Sequence, residues 1–168
     1  MNKKIAIYPG VFDPLTVGHM WVINECLKLY DSVVVAVATN PEKDSLFSTK
    51  ERVAMLQNAC TELKRVEIVH FEKEFLVNFA KEKGVQCIVR SIRTESDYEY
   101  ERVLNHINRD INPDITTVFL MPPRGLSEVS SRMVKQLIGL NGWEQIVGKY
   151  VPKEVLESLK KFHANSAE

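Results

Sequence analysis

The run Val33-Val34-Val35-Ala36-Val37-Ala38 limits the fold more than any other segment. Six aliphatic residues in a row present no polar face to water. β-Branched valines favour a strand, and a strand apolar on both faces needs cover on both, as at the centre of a parallel sheet. Shorter runs of the same kind recur. Ile5 to Tyr8 reads as a strand ended by Pro9-Gly10, Val66 to Val69 and Gln86 to Val89 as two more, and Thr116 to Leu120 as a fifth, stopped by Pro122-Pro123. Amphipathic stretches fill the gaps. Residues 18–29 place Met20, Val22, Ile23, Cys26, Leu27 and Leu29 broadly on one helical face. Ser48-Thr49-Lys50-Glu51 has the capping-box spacing and opens a helix carrying Val53, Leu56 and Cys60. Further helices are predicted around 74–83 with Gly84 to end it, over the strongly polar 96–109, and at about 130–139. A last one, at about 152–163, starts at Pro152 and is striped by Val155, Leu156, Leu159 and Phe162.

Five strands alternating with helices predict an α/β, doubly wound fold: a five-stranded parallel sheet with right-handed crossovers and helices on both faces. The 168 residues suit a single domain over 1–168. The polar end, His163 to Glu168, is expected to fray. Ligands of such folds sit beyond the carboxyl ends of the strands. Chemistry is therefore expected in residues 9–19, 39–48, 71–76, 90–93 and 121–131.

Composition narrows the partners. Twenty-two basic and 22 acidic residues give zero formal charge, which disfavours indiscriminate nucleic-acid binding. A local cluster of bases on a small anion remains compatible with that balance. At 45% apolar and 26% charged residues, the chain is no disordered polymer. Its longest aliphatic run, six residues, is far below the roughly 20 needed to span a bilayer. Met1 to Ile5 lacks the long apolar region of a secretory signal. The expectation is a cytoplasmic protein that engages neither nucleic acid nor membrane. Cys26, Cys60 and Cys87 are too far apart in sequence for a zinc or redox pair and are expected to be buried, reduced thiols.

The segment after the first strand, Gly10 to His19, is neither GxGxxG nor a Walker A loop. Gly18-His19 sets an imidazole at the start of the next helix, where free N–H groups and the positive dipole suit phosphate oxygens. The pattern Gly10-x-Phe12-Asp13-Pro14-x-x-x-Gly18-His19 resembles the T/HxGH nucleotidyltransferase superfamily. Four further segments resemble the phosphopantetheine adenylyltransferase family within it. Arg90-Ser91-Ile92-Arg93 is similar to its R-G-x-R, and Asp97-Tyr98-Glu99-Tyr100-Glu101 to its D-F-E-Y-E. Phe119-Leu120-Met121-Pro122 matches its strand-five ending, and Val129-Ser130-Ser131 is similar to the start of its I-S-S-S. The motifs are collinear over nearly the whole chain.

This resemblance implies a Rossmann-like nucleotidyltransferase fold and a reaction. ATP and 4′-phosphopantetheine would give dephospho-coenzyme A and pyrophosphate, the penultimate step of coenzyme A biosynthesis. The acceptor phosphate would attack the α-phosphorus directly, without a covalent enzyme intermediate. Magnesium would travel with ATP, and no protein side chain is identified as its ligand. A homohexamer of two stacked trimers and feedback inhibition by coenzyme A are implied as well.

Roles carry over by position. His19 matches the transition-state stabiliser, and Lys43 and Arg93 complete the catalytic set, on the acceptor phosphate and on the ATP phosphates. Val11, Lys43, Leu76 and Arg90 match acceptor-binding positions, with Leu76 on the pantetheine channel. The ATP site implied is Val11, Phe12, His19, Ser91, Ile92, Arg93, Glu101 and the stretch Leu126, Ser127, Glu128, Val129, Ser130, Ser131, Arg132. Four positions depart from the pattern. Val11 lacks the hydroxyl of the usual Thr or Ser, and Ser91 brings a Cβ where the family has glycine. Leu126 replaces an aromatic, and Arg132 replaces the third serine, its guanidinium directed either to the β/γ-phosphates or to solvent. Two other readings keep the fold: a related transferase with another acceptor or nucleotide, and a non-catalytic nucleotide- or coenzyme A-binding module.

Overall fold

A computed structural model describes residues 3–39 and 45–166. The elements run β1 (Ile5–Gly10), α1 (Val17–Leu29), β2 (Ser32–Ala38), α2 (Thr49–Ala59), β3 (Val66–Phe71), α3 (Leu76–Glu82), β4 (Cys87–Ser91), α4 (Glu95–Ile111), β5 (Thr116–Leu120), α5 (Ser131–Leu137), α6 (Trp143–Val147) and α7 (Lys153–Ser166). The five strands form one parallel sheet in the order β3-β2-β1-β4-β5. This is the doubly wound α/β arrangement that the sequence predicts.

The period-2 alternation of strand side chains divides the core. Val33, Val35 and Val37 of β2 join Ala6 and Tyr8 in a large cluster with α1, α2 and α7, through Val22, Ile23, Leu56, Val155 and Leu159. Val34 and Ala36 turn to the other face and pack with Ile7, Ile88 and, from α3, Val77, Phe79 and Ala80. All three cysteines are free and buried. Among the described residues no helix is long and apolar enough to cross a membrane.

Several boundaries differ from the sequence reading. β1 runs through Pro9 to Gly10, paired with β2 over its whole length, whereas its ladder to β4 covers only Ala6 and Ile7. Proline's missing N–H therefore removes no bond, because β4 has already diverged where Pro9 sits. α3 begins at Leu76, not 74. The five-residue α6 has too few positions to display a helical period. α7 continues to Ser166 and does not end near 163. His163, expected in a frayed tail, packs its ring edge-on to Trp143 with centroids 5.7 Å apart.

Candidate active site

Strand order reverses direction between β1 and β4, and the divergence of these two strands opens a crevice at their carboxyl ends. Such a topological switch point is where open α/β sheets bind ligands. A cleft of about 320 Å³ occupies it. Tyr8, Pro9 and Gly10 of β1 form one side, Arg90 and Ser91 of β4 another, and Val129 to Arg132 a third. Thr16, His19, Arg93, Asp97 and Glu101 complete the wall.

The orientation of His19 follows from the local sequence. Thr16 is the N-cap of α1, and its side chain accepts the His19 backbone N–H at 3.4 Å. His19 Nδ1 in turn accepts the Thr16 backbone N–H at 3.0 Å. Thr16-Val17-Gly18-His19 is thus a capping box in which imidazole takes the place of the usual Glu or Gln. Because Nδ1 is used as an acceptor, the ring proton of the neutral side chain resides on Nε2. Burial, with a smaller contribution from the Arg93 charge, pushes His19 down to about 4. At neutral pH it is therefore an uncharged donor through Nε2–H.

The loop ahead of it is tightly held. Phe12 is buried with φ of 52°, an unusual conformation for a non-glycine residue. Its ring contacts Tyr8 and His19 edge-on, with centroids 5.6 and 5.1 Å away. A Cβ on Gly10 would lie 2.8 Å from the Phe12 ring, which explains the glycine there. On one side of Phe12, the Val11 carbonyl accepts from Arg52 Nη1 at 2.6 Å. On the other, the Asp13 carboxylate accepts from Leu46 N, Phe47 N and Lys135 Nζ at 2.9, 3.0 and 3.0 Å. Arg52, only 2% exposed, also grips the carbonyls of Ala38 and Phe47. Three segments beside the cleft, the loop after β1, the entry to α2 and helix α5, are joined through these two side chains.

Charge in the cleft is arranged in pairs. Arg90 is clasped through Nε and Nη2 by both carboxylate oxygens of the buried Glu101, and its Nη1 donates to the Pro9 carbonyl at 3.0 Å. Burial lowers the pKa of Arg90, but the hydrogen bonds and charge of Glu101 outweigh this and leave it raised. Arg93 binds Asp97 through its backbone N–H and its side chain, and its Nη1 reaches the Val129 carbonyl at 3.2 Å. Burial raises the pKa of Asp97, yet these bonds hold its carboxyl below the usual range. Both carboxylates of the cleft are thus engaged by arginines.

Of the residues singled out from sequence, His19, Arg90, Ser91, Arg93, Glu101, Val129, Ser130, Ser131 and Arg132 line the cleft. Val11 and Phe12 do not line it: the Val11 carbonyl is held by Arg52, and the Phe12 ring packs edge-on to His19. Leu76 packs on the second core cluster. Ile92, Leu126, Ser127 and Glu128 belong to adjoining segments and do not line the cleft. Lys43 lies outside the described residues. Ser91 has no positive φ, so its Cβ meets no backbone penalty. The sequence reading missed Thr16 as the group that fixes His19, Asp97 as the partner of Arg93, and Arg52. An i,i+4 spacing signals Asp97, and an arginine on the buried stripe with Met55 and Leu56 signals Arg52.

Comparison with known proteins settles the family. A cytidylyltransferase-like family model matches residues 7–137. The phosphopantetheine adenylyltransferase of Chromobacterium violaceum is 48% identical over 96% of this chain and 98% of its own. The chain belongs to the phosphopantetheine adenylyltransferase family. Another member, from Neisseria meningitidis serogroup C, is 46% identical over 96% of this chain and 95% of its own. The fold extends beyond the family. A solved Plasmodium falciparum nicotinic acid mononucleotide adenylyltransferase superposes with a TM-score of 0.69 at 15% identity, over 96% of both chains.

Proposed function

We propose that this chain transfers the adenylyl group of ATP to 4′-phosphopantetheine, giving dephospho-coenzyme A and pyrophosphate. The observation that carries this reading is the convergence of a fixed, neutral Nε2–H donor and three guanidinium groups on one switch-point cleft, in a chain of this family. An oxygen of the acceptor phosphate attacks the α-phosphorus, and the bond from that phosphorus to the bridging oxygen breaks as pyrophosphate leaves. The acceptor phosphate is already anionic, so no general base and no covalent enzyme intermediate are required. The protein aligns the two phosphates and meets the growing charge, with His19 donating to an α-phosphate oxygen. Arg90 serves the acceptor phosphate and Arg93 the nucleotide phosphates, with Lys43 on the acceptor side. Magnesium enters as part of the nucleotide, held by phosphate oxygens and water.

Coenzyme A carries the pantetheine arm and the adenylate together, so it competes for the same cleft as a feedback inhibitor. Self-association, with a hexamer as the proposed state, is supported by α4. There Tyr100, Val103, Ile107 and Ile111 form an exposed apolar stripe. Three unpaired thiols suit a reducing cytoplasm. Purified protein given magnesium, ATP and 4′-phosphopantetheine is expected to form dephospho-coenzyme A, identified by mass. Omission of the acceptor, or CTP in place of ATP, is expected to abolish the product. A folded protein that yields none contradicts the proposal.

A further inference from the structure

Two of the three guanidinium groups in the cleft are already answered by carboxylates. Glu101 clasps Arg90, and Asp97 holds Arg93. Arg132 lines the same cleft, on the first turn of α5, and its exposed side chain has no carboxylate or carbonyl partner among the described residues. With His19 uncharged, the wall carries three positive groups against two negative ones. The uncompensated charge resides on Arg132. Arg93 donates to the carbonyl of Val129, which lines the cleft three residues ahead of Arg132.

Resting on the adenylyl-transfer reading, we propose that Arg132 selects for linked phosphates: it takes the terminal phosphates of ATP and the departing pyrophosphate, and separates such ligands from nucleoside monophosphates. A guanidinium already bonded to a carboxylate must share or surrender that partner to bind phosphate. A free one gives up only water, and its planar fork can meet oxygens of two neighbouring phosphates. The serine expected at this position from the family pattern supplies no such charge. The selectivity is therefore a property of this chain's own departure.

The test compares wild type, Arg132→Ser, Arg132→Lys and a control, Lys64→Ser, which removes one charge from an exposed residue ahead of β3, at the opposite end of the sheet. Binding of ATP, AMP and inorganic pyrophosphate is measured by calorimetry with magnesium present, together with KM for 4′-phosphopantetheine. Arg132→Ser is expected to weaken ATP and pyrophosphate by about tenfold, the size of a hydrogen bond to a charged group. AMP affinity and the KM for 4′-phosphopantetheine stay near their wild-type values. Arg132→Lys falls between, and Lys64→Ser matches wild type. Wild-type ATP affinity also drops more steeply with salt than that of Arg132→Ser. Equal ATP and pyrophosphate affinities in wild type and Arg132→Ser would overturn the inference. So would an equal loss for AMP, or a wild type that binds neither polyphosphate. These binding contrasts need no turnover. A wild type that makes no dephospho-coenzyme A but discriminates ATP from AMP through Arg132 refutes the reaction and keeps the selectivity.

Discussion

His19 illustrates how a single residue acquires a chemical role from its neighbours. The Thr16 backbone N–H fixes its tautomer, Phe12 supports its ring, and burial with Arg93 keeps it uncharged. The folded pKa, about 4, lies below the ordinary 6.5. Between these values the unfolded chain takes up a proton that the folded protein refuses. The stability linked to His19 is therefore fully present above about pH 6.5 and declines as pH falls toward 4. Urea unfolding near pH 7 and again near pH 4.5 is expected to show a larger loss for wild type than for His19→Gln, whose side chain does not titrate. Equal losses would contradict this electrostatic setting. The motif made His19 legible in the sequence. The reason for its orientation was less so, because the capping-box pattern is ordinarily sought with Glu or Gln at the third position, and here it ends in His.

At the scale of elements, legibility followed burial. The central strands β1, β2 and β4 are short and largely buried, so their apolar composition alone marked them. The end of β1 was misread, because whether proline breaks a strand depends on which neighbour its N–H would have met, and that is a tertiary fact. The joints between elements were also hidden. Asp13, 4% exposed, receives two backbone N–H groups and Lys135, and so fastens the loop after β1 to the entry of α2 and to α5. Nothing local in the sequence pairs it with residues 33, 34 and 122 positions away. Asp13→Ala leaves those two N–H groups without an acceptor, and a cost of about 2–3 kcal/mol is expected in denaturant unfolding. A change below about 0.5 kcal/mol, the range of ordinary surface substitutions, would show that the joint is not structural.

For the whole molecule, the sheet order β3-β2-β1-β4-β5 sets both surfaces that matter. The reversal between β1 and β4 opens the cleft, and α4, which follows β4, buries only Glu101 while presenting its apolar stripe outward. The sequence pattern showed this helix as strongly polar, because its apolar residues are interleaved with charges and the stripe emerges only at helical spacing. Replacing Val103 and Ile107 together with glutamate places charge on that stripe, and light scattering is expected to show a smaller particle than wild type with the helix content retained. An unchanged mass would remove α4 as the contact face. The central claim, adenylyl transfer through a fixed His19 donor, is tested most directly by following pyrophosphate release and product mass for wild type and His19→Ala side by side, with ATP, magnesium and 4′-phosphopantetheine. The expected result is dephospho-coenzyme A from wild type and a kcat lower by roughly 10²–10³ in the folded variant, the usual loss of one transition-state donor. Equal rates in the two proteins, or no dephospho-coenzyme A from either, would contradict it.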